Sequence, residues 1–218
     1  MDKKTIWEYL KSKGFSNVAA AALMGNMEAE SNCVAHRLQG DFTSGFERSE
    51  EYTRKVDSGE ISRHDFIHNG PGGGGYGLMQ WTYPTRKAGL YDLAKEEYLS
   101  VGYAFIQVEW LVRELWQPEF KPVLEILQNS VSIRDCSDVL VKKYLRPADQ
   151  SEAVCVYRAK LGREFYQQFA DGEAEDPDGQ PDTTVEVSEE EYAVMVKCVM
   201  AVKMMKDVLG LLEEIENE

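Results

Sequence analysis

Two glutamates, Glu28 and Glu30, close the stretch MGNMEAESN at residues 24–32, directly behind a run of alanines. A carboxyl group can protonate a leaving oxygen if it keeps its proton near neutral pH. The competing use of such a residue is solvation of a helix end. Ala20, Leu23, Met24 and Met27 recur at helical spacing and predict one apolar stripe, with Glu28 and Glu30 on opposite flanks of it. Periodicity therefore does not choose between the two acids. Position does: Glu30 falls in the last turn, where unpaired backbone carbonyls disfavour a carboxylate and favour the protonated form.

A second group of residues able to do chemistry is GYGLMQWT, residues 75–82, behind a run of glycines. Gly75 and Gly77 permit close backbone approach, while Tyr76, Met79, Gln80 and Trp81 bring amphipathic rings and one amide together. Aromatic faces stack on sugar rings, and an amide hydrogen-bonds a hydroxyl or an N-acetyl group. An aromatic turn packed on the core is the alternative reading. His36, His64 and His68 lie in the same region, and HDFIH spaces two of them by four residues. A loop lacks the helical face that this spacing needs, so neither a metal nor a cofactor is expected.

The elements that position these residues read as mainly α, with an α+β alternative if the insertion forms a hairpin. Ile6, Trp7 and Leu10 predict a helix over residues 4–13 stopped by Gly14, and Ser16 and Asn17 offer a cap for a second over 18–30. Residues 32–75 lack sustained periodicity and read as a long loop or small hairpin insertion, with a hairpin around Asp57, Ser58 and Gly59. Further helices are predicted over 85–98, 103–114, 122–127, 132–144 and 149–169, the last from Val154, Tyr157, Leu161, Phe165 and Phe169. Residues 171–188 have the composition of a solvated acidic linker. Residues 189–218 read as an amphipathic helix whose apolar stripe is interrupted by Lys197, Lys203 and Lys206, so it does not span a membrane. The domain organisation expected is thus 1–170, a linker at 171–188 and a helix at 189–218.

Charge narrows the partners. Of the net −14 carried by the 218 residues, ten acids without one Lys or Arg lie in 171–191, and five acids against three lysines follow, leaving −2 for residues 1–170. A nearly neutral main domain without a basic patch gives nucleic acid no footing. The helix over 189–218 is a candidate for self-association or for a protein partner. Four widely separated cysteines, Cys33, Cys136, Cys155 and Cys198, read as free thiols. The N-terminal stretch MDKKTIWEYLKSKG has no apolar core of the kind a signal peptide needs, so synthesis in the cytosol is expected.

MGNMEAESN, then GYGLMQWT, then YLRPADQSEAVCVYRAKLGREFYQQF occur in that order, and on these three motifs the chain resembles the phage tail lysozyme family, relatives of goose-type lysozymes and lytic transglycosylases. The resemblance spans roughly residues 4–169. It implies cleavage of the β-1,4 bond between N-acetylmuramic acid and N-acetylglucosamine in peptidoglycan glycan strands, by a cell-wall-acting and virion-associated protein. It also implies that Glu30 is the catalytic acid and that Gly77, Leu78, Met79 and Gln80 line the glycan cleft; Tyr76 and Trp81 are added as neighbours. For a second carboxylate the nearest candidate is Asp41, with Asp65 behind it. Without one, the substrate's own N-acetyl group or 6-hydroxyl would serve and an anhydro end would result. The competing function is a catalytically silent, glycan-binding or structural lysozyme-like module of a phage tail or similar particle.

Overall fold

The computed structural model describes residues 2–41, 43–70, 74–170 and 178. Apart from Asp178, the acidic linker lies outside these residues, as does the amphipathic helix expected over 189–218. Along the described chain run α1 (Lys3–Ser12), α2 (Asn17–Ser31), α3 (Glu47–Ser58), α4 (Arg63–His68), α5 (Pro84–Glu96), α6 (Ala104–Leu115), α7 (Lys121–Asn129), α8 (Ile133–Val139), a π-helix (Leu140–Leu145) and α9 (Glu152–Phe169). The fold is mainly α, as the helical periodicities predict. Strand-like pairing among the described residues amounts to isolated bridges of Tyr76 with Leu38 and with Trp81.

Helix α2 occupies the middle. Its cap is the one expected, with Ser16 Oγ accepting from the Ala19 amide at 3.1 Å. From Ala19 to Met27 every residue is buried, and α1, α7, α8, α9 and the π-helix all pack on it. The single apolar stripe predicted for this helix is therefore too narrow. Alanines on every side let the neighbouring helices close in around it, and where α9 crosses, even a methyl group is too large. A Cβ on Gly25 would stand 2.5 Å from the Gly162 amide nitrogen and 2.6 Å from the Arg158 carbonyl oxygen, both fixed backbone atoms.

The insertion is more ordered than its sequence suggests. Where a hairpin is expected, α3 runs to Ser58 and stops at Gly59 in the left-handed region (φ 83°). The buried residues of α3 are Ser49, Thr53 and Val56, so two of the three carry hydroxyls and the inward face does not register as hydrophobic. HDFIH is likewise helical: it forms most of α4, bringing the His64 and His68 rings to 4.8 Å between centroids. The loop argument against a metal there does not hold. Among the described residues, however, no three His, Cys, Asp or Glu side chains gather as a metal would require. Cys33, Cys136 and Cys155 are free thiols, and Cys198 lies outside the described residues.

The Gly25 contact yields a signed expectation. Alanine is the better helix former by about 1 kcal/mol, yet Gly25→Ala is expected to lose about 1–3 kcal/mol of stability because backbone must move to admit it. Denaturant unfolding of the two proteins checks this, and unchanged or increased stability would contradict the close crossing.

Candidate active site

The two glutamates part company at the end of α2. Two residues on a helix are separated by about 200° of rotation, so the side chains leave in nearly opposite directions. Glu28 meets Lys3 of α1, whose Nζ lies 2.8 Å from the carboxylate, at a position where the lysine side chain is 41% exposed. Glu30 meets Arg158 of α9, with Nη1 donating to Oε1 at 2.7 Å and the two side chains only 9% and 17% exposed. The same Nη1 lies 3.3 Å from Asn26 Oδ1, and Asn26 Nδ2 in turn donates to Ala22 O at 2.9 Å and to Ser137 Oγ at 3.1 Å. Among the described residues no hydrogen bond is made by Glu30 Oε2.

One residue further, the helix end is tied to the glycine-rich motif. Ser31 Oγ lies 2.9 Å from Met27 O and 3.1 Å from Leu78 O, sharing one proton between its own helix and the turn. Helix α2 then stops because Asn32 (φ 56°) and Cys33 (φ 57°) are both left-handed. The turn itself is closed by Tyr76 and Trp81, whose amides donate to each other's carbonyls at 3.2 and 3.0 Å. Gly77 is required on two counts. Its φ is 79°, and a Cβ there would stand 2.5 Å from Gln107 Oε1.

Buried polar side chains fasten this turn to the helices. Gln107 of α6 accepts from the Leu78 amide at 2.8 Å and donates to Ala35 O and Val101 O at 2.6 and 2.7 Å, so all three segments are joined by one amide. Glu114, also on α6 and 1% exposed, accepts from Trp81 Nε1 at 2.7 Å and from the Tyr144 hydroxyl at 2.6 Å. Arg86 of α5 completes the cluster with a bidentate pair to the same carboxylate at 2.7 and 2.9 Å. Tyr144 belongs to the π-helix, so the extra residue in that turn sets the ring against Glu114; such local irregularities recur at functional sites.

Of the residues expected to contact sugar, Tyr76, Leu78, Met79 and Trp81 are buried in the core. Tyr76 hydrogen-bonds Thr53 through its hydroxyl at 2.6 Å, and burial pushes its pKa far up. Their rings are turned inward, which corrects the expectation that they offer stacking faces; the packed-turn alternative describes them. The physical reason is the closed turn, which folds these side chains under itself. Gln80 is the half-buried exception, with φ 48° and Nε2 donating to Arg37 O and Gly77 O at 3.1 and 3.0 Å.

Asp41 is fully buried, and its carboxylate is committed. Oδ1 accepts from the amide and hydroxyl of Thr43 at 3.0 and 2.6 Å, and Oδ2 accepts from the Ser49 amide at 2.8 Å and from the Ser49 hydroxyl. Burial pushes its pKa up, but the Ser49 and Thr43 donors outweigh it and hold the group well below the usual carboxylate range. Asp65 accepts from the hydroxyl of Ser62, the N-cap of α4, and from Asn69 Nδ2.

The residues that sequence reasoning missed are Arg158, Ser31, Gln107 and Glu114. Arg158 lies on the buried face of α9 with Cys155, Ala159, Gly162 and Phe165, and Gly162 follows it one turn later. That spacing marks a close helix crossing only once the partner helix is known.

A helical domain in which a carboxyl-bearing helix end is locked to a glycine-closed turn is lysozyme-like in class. The model of the phage tail lysozyme family matches residues 2–169, and the chain belongs to that family. No curated protein matches it. Membership points to a lysozyme-like function directed at peptidoglycan. No helix among the described residues is long and apolar enough to cross a membrane.

The environment of Asp41 gives a prediction with a definite sign. A carboxylate held below its ordinary value of 3.8 stabilises the fold fully above that pH and loses its contribution as the pH falls below it. Asp41→Asn is expected to cost about 2–4 kcal/mol at pH 7 by leaving buried donors without an anion. The difference from the parent protein narrows below pH 3.8, as thermal melts across pH record; a constant difference would contradict the assignment.

Proposed function

We propose that this protein cleaves the β-1,4 bond between N-acetylmuramic acid and N-acetylglucosamine in peptidoglycan, with Glu30 as general acid. The observation that carries the reading is the placement of Glu30. Of the two candidate acids, it is the one whose neighbour Ser31 ties the helix end to the turn that the family motif defines. Oε1 is engaged and Oε2 is left for the glycosidic oxygen.

In the step proposed, Glu30 passes its proton from Oε2 to the bridging oxygen as the C1–O bond breaks. The electron pair of that bond leaves with the oxygen, which becomes the 4-hydroxyl of the departing sugar. C1 is left with oxocarbenium character. The backbone of residues 77–80 and the Gln80 side chain form the cleft wall in this reading, with Tyr76, Leu78, Met79 and Trp81 supporting it from beneath.

Asp41 holds Ser49 and Thr43, and Asp65 holds Ser62 and Asn69, so neither is a ready second carboxylate. The oxygen that captures C1 is then the substrate's own. Attack by the 6-hydroxyl leaves a 1,6-anhydro end, whereas participation of the N-acetyl oxygen followed by water leaves a reducing end. Mass spectrometry of digested peptidoglycan separates the two.

The central test is clearing of purified cell walls. Glu30→Gln is expected to lose about 10²–10⁴-fold in rate, the usual weight of a general acid, while Glu28→Gln keeps the parent rate. Equal clearing by the Glu30 variant and the parent would remove the assignment, and loss confined to the Glu28 variant would transfer it. A protein that binds cell walls without clearing them would instead be the silent glycan-binding module.

A further inference from the structure

We propose that Arg158 is the positioning residue of the reaction, an inference that rests on Glu30 being the acid. One nitrogen of the guanidinium is held by two oxygens of α2. Nη1 donates to Glu30 Oε1 at 2.7 Å and approaches Asn26 Oδ1 at 3.3 Å, and Asn26 is itself fixed by Ala22 O and by Ser137 of α8. Asn26 and Glu30 are four residues apart on α2, so both oxygens lie on the face that α9 crosses. The crossing is unusually close there, since Gly25 meets the carbonyl of Arg158 itself. The close crossing therefore fixes the backbone of Arg158 against the helix that carries Glu30 and Asn26.

This geometry does two things for a proton donor. A carboxyl group gripped at Oε1 cannot spin freely, so Oε2 is presented to the substrate in one orientation, and such prealignment is a large part of catalytic rate. Charge also appears where the cation already waits. As the proton leaves Oε2, the carboxylate that forms lies beside a guanidinium placed before the reaction starts, and a preorganised opposite charge needs no reorganisation to stabilise it. Arg158 acts through Glu30 and touches no reacting atom. A lysine at 158 would keep the charge but place it on a rotatable ammonium in place of the planar guanidinium whose Nη1 meets both oxygens.

The test uses the full chain carrying Arg158→Met, Arg158→Lys or Glu30→Gln, with thermal unfolding, binding to insoluble peptidoglycan and turnover at saturating cell wall measured for each. Arg158→Met, which keeps the apolar stem, is expected to remain folded and to bind cell wall like the parent while turnover falls roughly 10–100-fold. Arg158→Lys recovers part of that loss. Guanidinium chloride below denaturing concentrations restores turnover to Arg158→Met and leaves Glu30→Gln unchanged. Parent-like turnover of Arg158→Met beside an inactive Glu30→Gln would overturn the role of Arg158 and spare that of Glu30. A loss in Arg158→Met that follows the unfolded fraction, and that neither lysine nor guanidinium repairs, would also overturn it by making the arginine structural. An active Glu30→Gln would remove the acid itself.

Discussion

The contact on which the rest depends is the crossing of α2 and α9 at Gly25 and Gly162, where one backbone lies directly on another. Close crossings of this kind bring together side chains that ordinary helix spacing would hold apart. Here they join Glu30 and Asn26 on one helix to Arg158 on the other. An arginine that bridges so short a gap has few rotamers open to it, and the ion pair is shielded from solvent. Pairs of that kind interact more strongly than exposed ones, whose attraction is largely screened by water. The Lys3–Glu28 pair on the other side of the same helix is the internal comparison: similar in length, more open to water, and facing away from Arg158.

The turn at residues 76–81 is held by a different logic. Its side chains fill the core, and buried polar groups from α5, α6 and the π-helix satisfy what the turn leaves unpaired. Burying a charge such as Glu114 is costly unless its partners are in place. With Arg86, Trp81 and Tyr144 all bonded to it, any slip of the turn would strip a buried carboxylate of donors. Gln107 imposes a similar penalty at Leu78, and Asp41 does so at the start of α3, through Ser49 and Thr43. Gln107 and Glu114 thus specify one arrangement of the turn, and Asp41 fixes the chain that leads into α3. A site built on such supports keeps its geometry without help from substrate, which precise proton transfer requires.

Much of this was legible from the chain alone. The helices α1, α2, α5, α6, α7 and α9 announced themselves because each buries an apolar face at regular spacing, and Ser16 announced the cap of α2. Asp57 to Gly59 misled because turn-forming residues also end helices, and α3 turns hydroxyls inward where the eye seeks leucines. Tyr76 and Trp81 misled in the opposite sense. Aromatic residues suit a sugar face and a core equally, and local sequence carries no information about which way a closed turn points them.

What the sequence by itself determined was the helical framework, the two candidate glutamates and the family to which the motifs belong. Those depend on periodicity and local spacing, which are properties of neighbours along the chain. Which glutamate gains a buried cation, which aromatics are hidden and which carboxylate is already committed were decided only by the tertiary structure. Glu30 and Arg158 stand 128 residues apart, and it takes the packing of α9 into the small-residue surface of α2 to make them one unit.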